Sequence, residues 1–238
     1  MPSVLSVKNL NVSLENNLVL EKINFAIAPG ESLAIIGPNG SGKTVLIKAL
    51  LGLLPHTGEV KWAKDVKIGY VPQKIDADRH LPITLADLLM AKARTLGLEN
   101  KKYDHVSKVI GLTKKSLETP VGHLSGGQFQ KGLIALALLG DPHIIILDEP
   151  TASLDQSSEE HIYELIHRLQ EDYKLTVIIV SHDLSMVYHK IHKVLCLNKQ
   201  VLAFGDPQEI LNPKNLKQVF GVSIEFYDHI HKKNASKR

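Results

Sequence analysis

The chain has 238 residues, of which 44% are hydrophobic and 22% are charged, and this composition excludes a disordered or fibrous protein. Its formal net charge of +3 comes from scattered lysines and arginines, so we expect no nucleic-acid partner. The apolar runs are far shorter than the roughly 20 residues that cross a bilayer, and the N-terminus lacks the pattern of a secretory signal. The one cysteine cannot form an internal disulfide, which fits a reducing compartment, and a protein that stays in the cytoplasm is predicted.

The first predicted elements are short β-strands, separated by turn signals at Asn16-Asn17 and Pro29-Gly30. These strands cover residues 4–7, 18–20, 23–27 and 32–36. We expect them to form an antiparallel N-terminal sheet. A glycine-rich segment follows, and apolar residues at helical spacing then predict a helix over residues 43–54.

The middle of the chain, over residues 74–138, is predicted to be a helical subdomain inserted into the fold. Apolar spacing predicts helices over 85–96 and 103–110, and Gly97 and Gly111 interrupt the pattern.

The C-terminal part alternates apolar strands with amphipathic helices. The predicted strands cover residues 144–147, 176–180 and 193–197, and the predicted helices cover residues 157–170 and 184–190. Strands that are apolar at every position and alternate with helices indicate a parallel sheet covered on both faces. The predicted fold class is therefore α/β, with an N-terminal antiparallel β subdomain and an inserted helical subdomain.

A phosphate-binding loop follows the strand predicted at residues 32–36. It consists of Gly37, Pro38, Asn39, Gly40, Ser41, Gly42, Lys43 and Thr44. Glycines let successive backbone N–H groups face a phosphate, and the following helix adds the positive end of its dipole. We expect Lys43 to reach the β- and γ-phosphates and Thr44 to offer its hydroxyl to Mg²⁺. A glycine-rich turn without a nucleotide is the alternative, but the strand before the loop and the helix after it favour nucleotide binding.

Two adjacent carboxylates, Asp148 and Glu149, follow the apolar strand at residues 144–147. Ligands of α/β folds bind outside the carboxyl ends of the strands, so both acids are candidates for chemistry there. We expect Asp148 to hold the hydration shell of Mg²⁺ and Glu149 to orient or deprotonate the water that attacks the γ-phosphate. The alternative is that these acids cap the next helix.

A second anion site is predicted at the sequence Leu-Ser-Gly-Gly-Gln, which opens a helix. Its last four residues are Ser125, Gly126, Gly127 and Gln128. The helix start presents free N–H groups together with a serine hydroxyl. One chain thus carries two phosphate-binding helix starts, and both can hold a single nucleotide only if two chains face each other head to tail.

These motifs, with Gln73 after a strand at residues 67–71 and Ser181-His182-Asp183 after another strand, resemble those of the ABC-transporter ATPases. Leu-Ser-Gly-Gly-Gln upstream of the two acids is the most specific element of the resemblance, which extends over residues 4–221. The resemblance implies a P-loop NTPase core of the RecA-like type. The implied boundaries within a single ATPase domain over 1–238 are 1–73 and 139–221 for the nucleotide-binding core with the β subdomain, 74–138 for the helical subdomain and 222–238 for a basic tail.

The resemblance also implies ATP and Mg²⁺ as cofactors and gives single residues a role. Glu149 and His182 would be catalytic, with His182 contacting the γ-phosphate and stabilising its developing charge. The residues assigned to Mg²⁺ would be Thr44, Gln73 and Asp148, and Gln73 would lie in the loop that links the ion to the helical subdomain. Without the resemblance, the histidine could simply be the neighbour of a helix-capping aspartate.

Partners follow from the same resemblance. Residues 125–128 would close on the ATP of a second copy of the chain, and Asp155 would lie at the seam of this homodimer. A multi-span membrane permease would complete the transporter, together with a periplasmic or extracellular metal-binding protein. The permease would insert a short helix near residues 73–94, which would hold the chain at the cytoplasmic face of the inner membrane.

The sequence departs from the family at three positions. ABC ATPases usually stack an aromatic side chain on adenine, and Leu14 occupies the matching position, so a preference for ATP over GTP is not implied. Lys131 and Leu136 replace arginines that are usual after the second anion site, and neither replacement touches an assigned catalytic role.

Within the superfamily, the chain is similar to the zinc and manganese importer ATPases. The segments that carry this similarity are 68–74, 81–84, 194–198, 205–207 and 220–221. Import of zinc, or of manganese, is therefore the predicted function, and another cargo remains open. The alternatives are a soluble ABC ATPase that acts on nucleic acid or the ribosome, and a regulator that binds nucleotide without turnover.

The C-terminal tail contains two histidines, His229 and His231, which could ligate Zn²⁺. Two histidines do not complete a zinc site. The alternative is a disordered tail with incidental histidines.

Overall fold

The structure is a computed structural model that describes residues 3–73, 82–98, 100–152 and 154–221, without the side chains of residues 100–102. The strands are β1 (Leu5–Leu14), β2 (Asn17–Ile27), β3 (Ser32–Ile36), β4 (Thr57–Trp62), β5 (Ile68–Val71), β6 (Ile144–Asp148), β7 (Thr176–Val180), β8 (Lys193–Asn198) and β9 (Gln200–Gly205). The helices are α1 (Lys43–Leu50), α2 (Leu85–Thr95), α3 (Asn100–Ile110), α4 (Lys114–Glu118), α5 (Gly126–Leu138), α6 (Gln156–Tyr173), α7 (Leu184–Lys190), α8 (Pro207–Ile210) and α9 (Pro213–Phe220). The predicted features at residues 74–81, at residue 153 and at residues 222–238, including His229 and His231, lie outside the described residues.

Two β-sheets organise the fold. β2, β1 and β4 form an antiparallel three-stranded sheet, and the second sheet has six strands in the order β5-β6-β7-β3-β8-β9. The strands of the second sheet are parallel, except that β9 runs antiparallel to β8. Helices α2 to α5 pack on one another in the segment between β5 and β6. The predicted α/β fold class is confirmed, while the exact domain boundaries stay predictions.

The strand at Ser32–Ile36 lies in the parallel sheet, so its predicted place in the antiparallel N-terminal sheet is wrong. All five of its residues are buried, and it lies between β7 and β8, where Ala34 pairs with Ile179 and Val194. A strand buried on both faces belongs in the middle of a sheet that is covered on both sides.

The two predicted strands at 18–20 and 23–27 form the single strand Asn17–Ile27. A bulge keeps this strand continuous through its polar middle, because Lys22 has a φ of 48° and its N–H donates to Asn11 Oδ1 at 2.8 Å. The Asn11 side chain of β1 thus replaces a backbone acceptor that Lys22 of β2 lacks at the bulge. The alternation of apolar residues in the sequence does not predict such a contact.

Helix α1 ends at Leu50 rather than at residue 54. Gly52 has a φ of 70°, and the N–H of Leu53 donates to Lys48 O at 2.8 Å, which closes the helix end in the manner of a left-handed C-terminal cap. The strands β4 and β9 and the helices α4, α8 and α9 have no counterpart among the predicted elements.

Alternate residues of the parallel strands point into two separate hydrophobic cores. Ile145 and Leu147 of β6 pack with α5 and α6 on one face of the sheet, whereas Ile144 and Ile146 pack with α1 and the antiparallel sheet on the other. Burying such a side chain stabilises the fold by about 1.5–3 kcal/mol. The strand is apolar at each of these positions because neither of its faces meets water.

The order of the parallel strands positions the predicted site. β5, β6, β7 and β3 are neighbours, so their carboxyl ends share one edge of the sheet. Gln73, Glu149, His182 and Gly37 follow these four strands. Residues predicted from separate motifs are therefore brought to a single place.

In the part of the chain that the structure describes, no helix has the length and apolar character needed to span a bilayer.

Gly69→Ala is expected to lower the free energy of unfolding by about 1–3 kcal/mol. A Cβ atom at Gly69 would lie 2.6 Å from Ala137 O, because β5 and α5 approach each other closely there. The matched control is Gly140→Ala, whose Cβ would meet only Leu96 Cδ1 at 4.0 Å. Urea unfolding of both variants measures the difference, and equal stabilities would contradict the close contact of β5 with α5.

Candidate active site

The phosphate loop connects β3 to α1 and opens on a cavity of about 480 Å³. Gly40 and Gly42 have φ values of 79° and 99°, which side chains rarely adopt, and a Cβ at Gly37 would collide with Leu197 O. Glycine is thus required for the loop to curl at these positions. The residues that line the cavity are Val19, Asn39, Gly40, Gly42, Lys43, Thr44, Val45, Gln73, Glu149 and His182.

Lys43 is the first residue of α1, and its side chain is only 6% exposed. Its Nζ donates to Gly37 O at 3.0 Å and to Pro38 O at 3.2 Å. Burial lowers the pKa of Lys43, while the nearby charges of Glu149 and Asp148 oppose this shift. The ammonium group is therefore fixed at the loop, close to two carboxylates.

Glu149 gathers three of the predicted site residues around one carboxylate. Gln73 Nε2 donates to its Oε2 at 2.6 Å, His182 Nε2 lies 2.9 Å from its Oε1, and Lys43 Nζ lies 3.8 Å from the same Oε1. Glu149 itself has a φ of 51°, a left-handed conformation that costs a non-glycine residue about 1–3 kcal/mol. Backbone strain of this kind beside a cluster of polar groups is typical of a functional site.

Asp148 is fully buried at the end of β6. Neither of its carboxylate oxygens has a hydrogen-bond partner among the described residues, and burial raises its pKa. The nearby Thr44 hydroxyl favours the charged form, although it falls short of hydrogen-bond geometry. The two free oxygens leave Asp148 with the capacity to ligate a cation.

The second predicted anion site lies apart from this cavity. Ser125 is the N-cap of α5, where its Oγ accepts from the N–H of Gln128 at 3.3 Å and its own N–H donates to Gln128 Oε1 at 3.0 Å. Gly127 packs against Ser158 of α6, whose N–H and hydroxyl both donate to Asp155 at 3.0 and 2.8 Å. These hydrogen bonds lower the pKa of Asp155. The starts of α5 and α6 thus form one surface that is separate from the phosphate-loop cavity.

The sequence leaves open that Asp148 and Glu149 cap a helix and that His182 is merely the neighbour of a capping aspartate. The observed N-caps decide both questions. Asp155, not Asp148 or Glu149, caps the helix that follows β6. Asp183 caps α7 by accepting from the N–H of Met186 at 2.9 Å, and its neighbour His182 contacts Glu149 instead. Asp148 and Glu149 therefore have no capping role in α6.

Several residues at the site were not predicted. Val19 of β2 lines the cavity, whereas Leu14, the residue matched to the usual adenine contact, is 36% exposed and does not line it. Tyr163 of α6 contacts both Thr151 and Ser181, each at 3.0 Å between oxygen atoms. Its position beside the apolar stripe of α6 gives no sign in the sequence of these polar contacts.

Known proteins resemble this chain in sequence and in fold. A family model for ABC transporters matches residues 20–152. The zinc import ATP-binding protein ZnuC of Pasteurella multocida is 36% identical over 236 residues, which cover 96% of this chain and 87% of the relative. The ZnuC protein of Haemophilus influenzae is 37% identical over 233 residues, which cover 96% and 85% of the two chains.

A solved structure of an ABC transporter protein has a fold similar to that of this chain. The cbiO1 protein of Clostridium perfringens, part of the ABC transporter complex cbiONQ, superposes with a TM-score of 0.79 at 27% identity, covering 92% of this chain and 94% of that one. The match extends over nearly all of both chains, and the phosphate loop lies inside the matched family segment. The chain belongs to the ABC transporter family and is one of its ATP-binding, ATP-hydrolysing subunits.

Proposed function

We propose that this chain hydrolyses ATP with Mg²⁺ in a head-to-tail homodimer and thereby drives the import of zinc through a membrane permease. The observation that carries the proposal is the convergence of Gln73, Lys43 and His182 on the carboxylate of Glu149, beside the phosphate loop. Zinc as the cargo is supported by the ZnuC relatives.

The phosphates of ATP bind at the start of α1. Backbone N–H groups of residues 39–44 and the positive end of the α1 dipole attract the anion, and Lys43 supplies the compensating charge. Because Lys43 is buried and held by two carbonyl groups, its ammonium group loses little conformational freedom when it binds a phosphate.

Asp148, Thr44 and Gln73 would hold Mg²⁺. A buried carboxylate without a donor is costly, and Asp148 has two such oxygens, which suit a hard cation that prefers oxygen ligands. Thr44 adds a hydroxyl oxygen, and Gln73 adds an amide oxygen, since its nitrogen is the atom that donates to Glu149. Bound Mg²⁺ neutralises charge on the phosphates.

Glu149 orients the attacking water and accepts its proton, and His182 donates to the γ-phosphate oxygen that gains charge. An ionised carboxylate only accepts hydrogen bonds, so its contact with His182 requires a proton on Nε2 of the histidine. This Nε2–H donates to Glu149 Oε1 before ATP binds, and it exchanges that partner for the γ-phosphate oxygen when the nucleotide is in place.

The dimer completes each site with residues of both chains. The starts of α5 and α6, with residues 125–128 and Asp155, form one surface outside the phosphate-loop cavity. A second chain in head-to-tail orientation presents this surface to the γ-phosphate. Closing and opening of the dimer then accompany binding and hydrolysis.

The permease forms the transport path, and the chain binds it at the cytoplasmic face of the membrane. The helical subdomain around α2 receives a short helix of the permease and transmits closure of the dimer. A periplasmic or extracellular zinc-binding protein delivers the cargo.

Gentle purification of the tagged chain from membranes of its native host tests this function. A multi-span permease that co-purifies, and an ATPase rate of the complex that rises with zinc or with its zinc-loaded receptor, are the expected results. Recovery of soluble nucleic-acid proteins without a permease would contradict the transport function.

Leu14→Tyr is expected to tighten ATP binding roughly tenfold, since stacking of a base on an aromatic ring contributes about 1–3 kcal/mol. Leu14 lies at the end of β1, on the hairpin whose other strand supplies Val19 to the cavity. Leu18→Tyr is the matched control, because Leu18 is also an exposed leucine of this hairpin. Calorimetric titration with ATP measures both, and equal affinities would contradict the match of Leu14 to the adenine contact.

A further inference from the structure

Hydroxyl groups link the two loops that carry Glu149 and His182. Thr151 Oγ1 lies 3.0 Å from Tyr163 Oη, which in turn lies 3.0 Å from Ser181 Oγ. Thr151 follows Glu149 by two residues, and Ser181 directly precedes His182. With a single oxygen atom, Tyr163 of α6 therefore contacts the loop after β6 and the loop after β7.

The carboxylate at one end of this series fixes the direction of every hydrogen bond in it, and the other end is compatible with that direction. Thr151 donates to Glu159 Oε1 at 2.8 Å, and the N–H of Asp183 donates to Ser181 Oγ at 3.0 Å. Because the Thr151 hydrogen points to Glu159, the Thr151 oxygen accepts from Tyr163. Tyr163 in turn accepts from Ser181. Each hydroxyl donates once and accepts once, and a series that ends on a carboxylate is stronger than one between neutral groups.

The series is shielded from water at its Ser181 end. Ser181 is only 2% exposed, and Thr151 and Tyr163 are half-buried. Burial raises the pKa of Tyr163 to about 12, and its hydrogen bonds with Ser181 and Thr151 oppose this shift. The phenol thus keeps its hydrogen at neutral pH and can donate to Thr151.

We propose that Tyr163 is a positioning residue of the ATPase site, which holds the two loops at the separation where His182 Nε2 meets Glu149 Oε1 at 2.9 Å. The proposal rests on the catalytic roles proposed above for Glu149 and His182. The side chain of His182 is 48% exposed, so packing alone does not hold it. Phenylalanine at position 163 keeps the ring but leaves the Ser181 hydroxyl without its acceptor and Thr151 without its donor.

Steady-state ATP hydrolysis by the full chain in complex with its permease tests the proposal. Tyr163→Phe is expected to lower kcat about tenfold and to change KM for ATP by less than about twofold, since the phosphate loop is untouched. Tyr103→Phe is the matched control, because Tyr103 is a half-buried tyrosine of α3 outside the site. Equal kcat values for the two variants would overturn the proposal, as would a Tyr163→Phe variant whose defect lies in KM.

A double variant shows whether Tyr163 acts through His182. Adding Tyr163→Phe to His182→Ala is expected to lower kcat by a smaller factor than Tyr163→Phe does alone, because the contact between His182 and Glu149 is already absent, whereas independent, multiplying losses would overturn the positioning role. A wild-type kcat in His182→Ala would overturn the proposed function of that histidine. A loss in His182→Ala with a wild-type kcat in Tyr163→Phe would overturn only the inference about Tyr163.

Thr151 allows the same test from the other end of the hydrogen bond, should Tyr163→Phe fail to fold. Thr151→Val removes the hydroxyl but keeps the shape of the side chain, and it is expected to lower kcat as much as Tyr163→Phe does. Thr151→Ser keeps the hydroxyl and is expected to retain most of the wild-type kcat. Wild-type kcat values in both variants would overturn the proposal.

Discussion

Replacing Glu149 with glutamine is expected to lower kcat for ATP hydrolysis by about 100-fold to 10,000-fold and to leave dimers that hold ATP without separating. The amide has the size of the carboxylate and an oxygen that can still accept from His182, but it cannot take a proton from water. In the proposed mechanism the nucleotide binds at the phosphate loop, so ATP binding is expected to be preserved. The rate of phosphate release measures kcat. Light scattering after size-exclusion chromatography with ATP and Mg²⁺ measures the molar mass and so detects the dimer.

The matched control for this variant is Glu160→Gln, which neutralises an exposed carboxylate of α6 outside the cavity. It is expected to keep the wild-type kcat and to dimerise only transiently. A Glu149→Gln chain that stays monomeric at saturating ATP and Mg²⁺ would contradict the head-to-tail dimer. A wild-type kcat in this variant would contradict the role of Glu149.

A disulfide between two chains is expected to form in most of the protein when Asn39→Cys and Ser125→Cys are combined and the chain is oxidised with ATP and Mg²⁺ present. Both side chains are exposed, one in the phosphate loop and one at the start of α5. The proposed head-to-tail packing would bring position 39 of one chain to position 125 of its partner. Non-reducing electrophoresis measures the linked dimer, which is expected to depend on ATP.

The native cysteine does not interfere with this experiment. Cys196 is fully buried, and burial raises the pKa of its thiol to about 12, so that it is neither accessible nor ionised. The single variants Asn39→Cys and Ser125→Cys are the controls and are expected to stay unlinked. Efficient linking of either single variant would indicate a head-to-head arrangement and would contradict the composite site.

The phosphate loop could be predicted from the sequence because its residues are neighbours in the chain and its geometry is local. A strand, a glycine-rich turn and a helix start suffice to point backbone N–H groups at an anion. The acids Asp148 and Glu149 could be predicted for a related reason, since the carboxyl ends of parallel strands share one edge. Their meeting with Gln73 and His182 follows from the order of the strands.

Contacts between distant parts of the chain could not be predicted in this way. β3 pairs with β7 and β8, strands that begin more than 100 residues later, and its own five residues do not specify which sheet it joins. The bulge at Lys22 depends on the side chain of Asn11 in another strand. Tyr163 contacts two loops that are separated by a helix and a strand, and nothing next to it in the sequence marks this role.

Zinc uptake into lipid vesicles tests the central claim most directly, namely that ATP hydrolysis by this chain drives metal import. The vesicles contain the chain with its permease, with ATP and Mg²⁺ inside and zinc with its receptor protein outside. Wild-type complexes are expected to accumulate zinc only when ATP is present, and Glu149→Gln complexes are expected to accumulate none. The account would be contradicted if the wild-type complex accumulated as much zinc without ATP as with it. It would also be contradicted if the Glu149→Gln complex accumulated as much zinc as the wild-type complex.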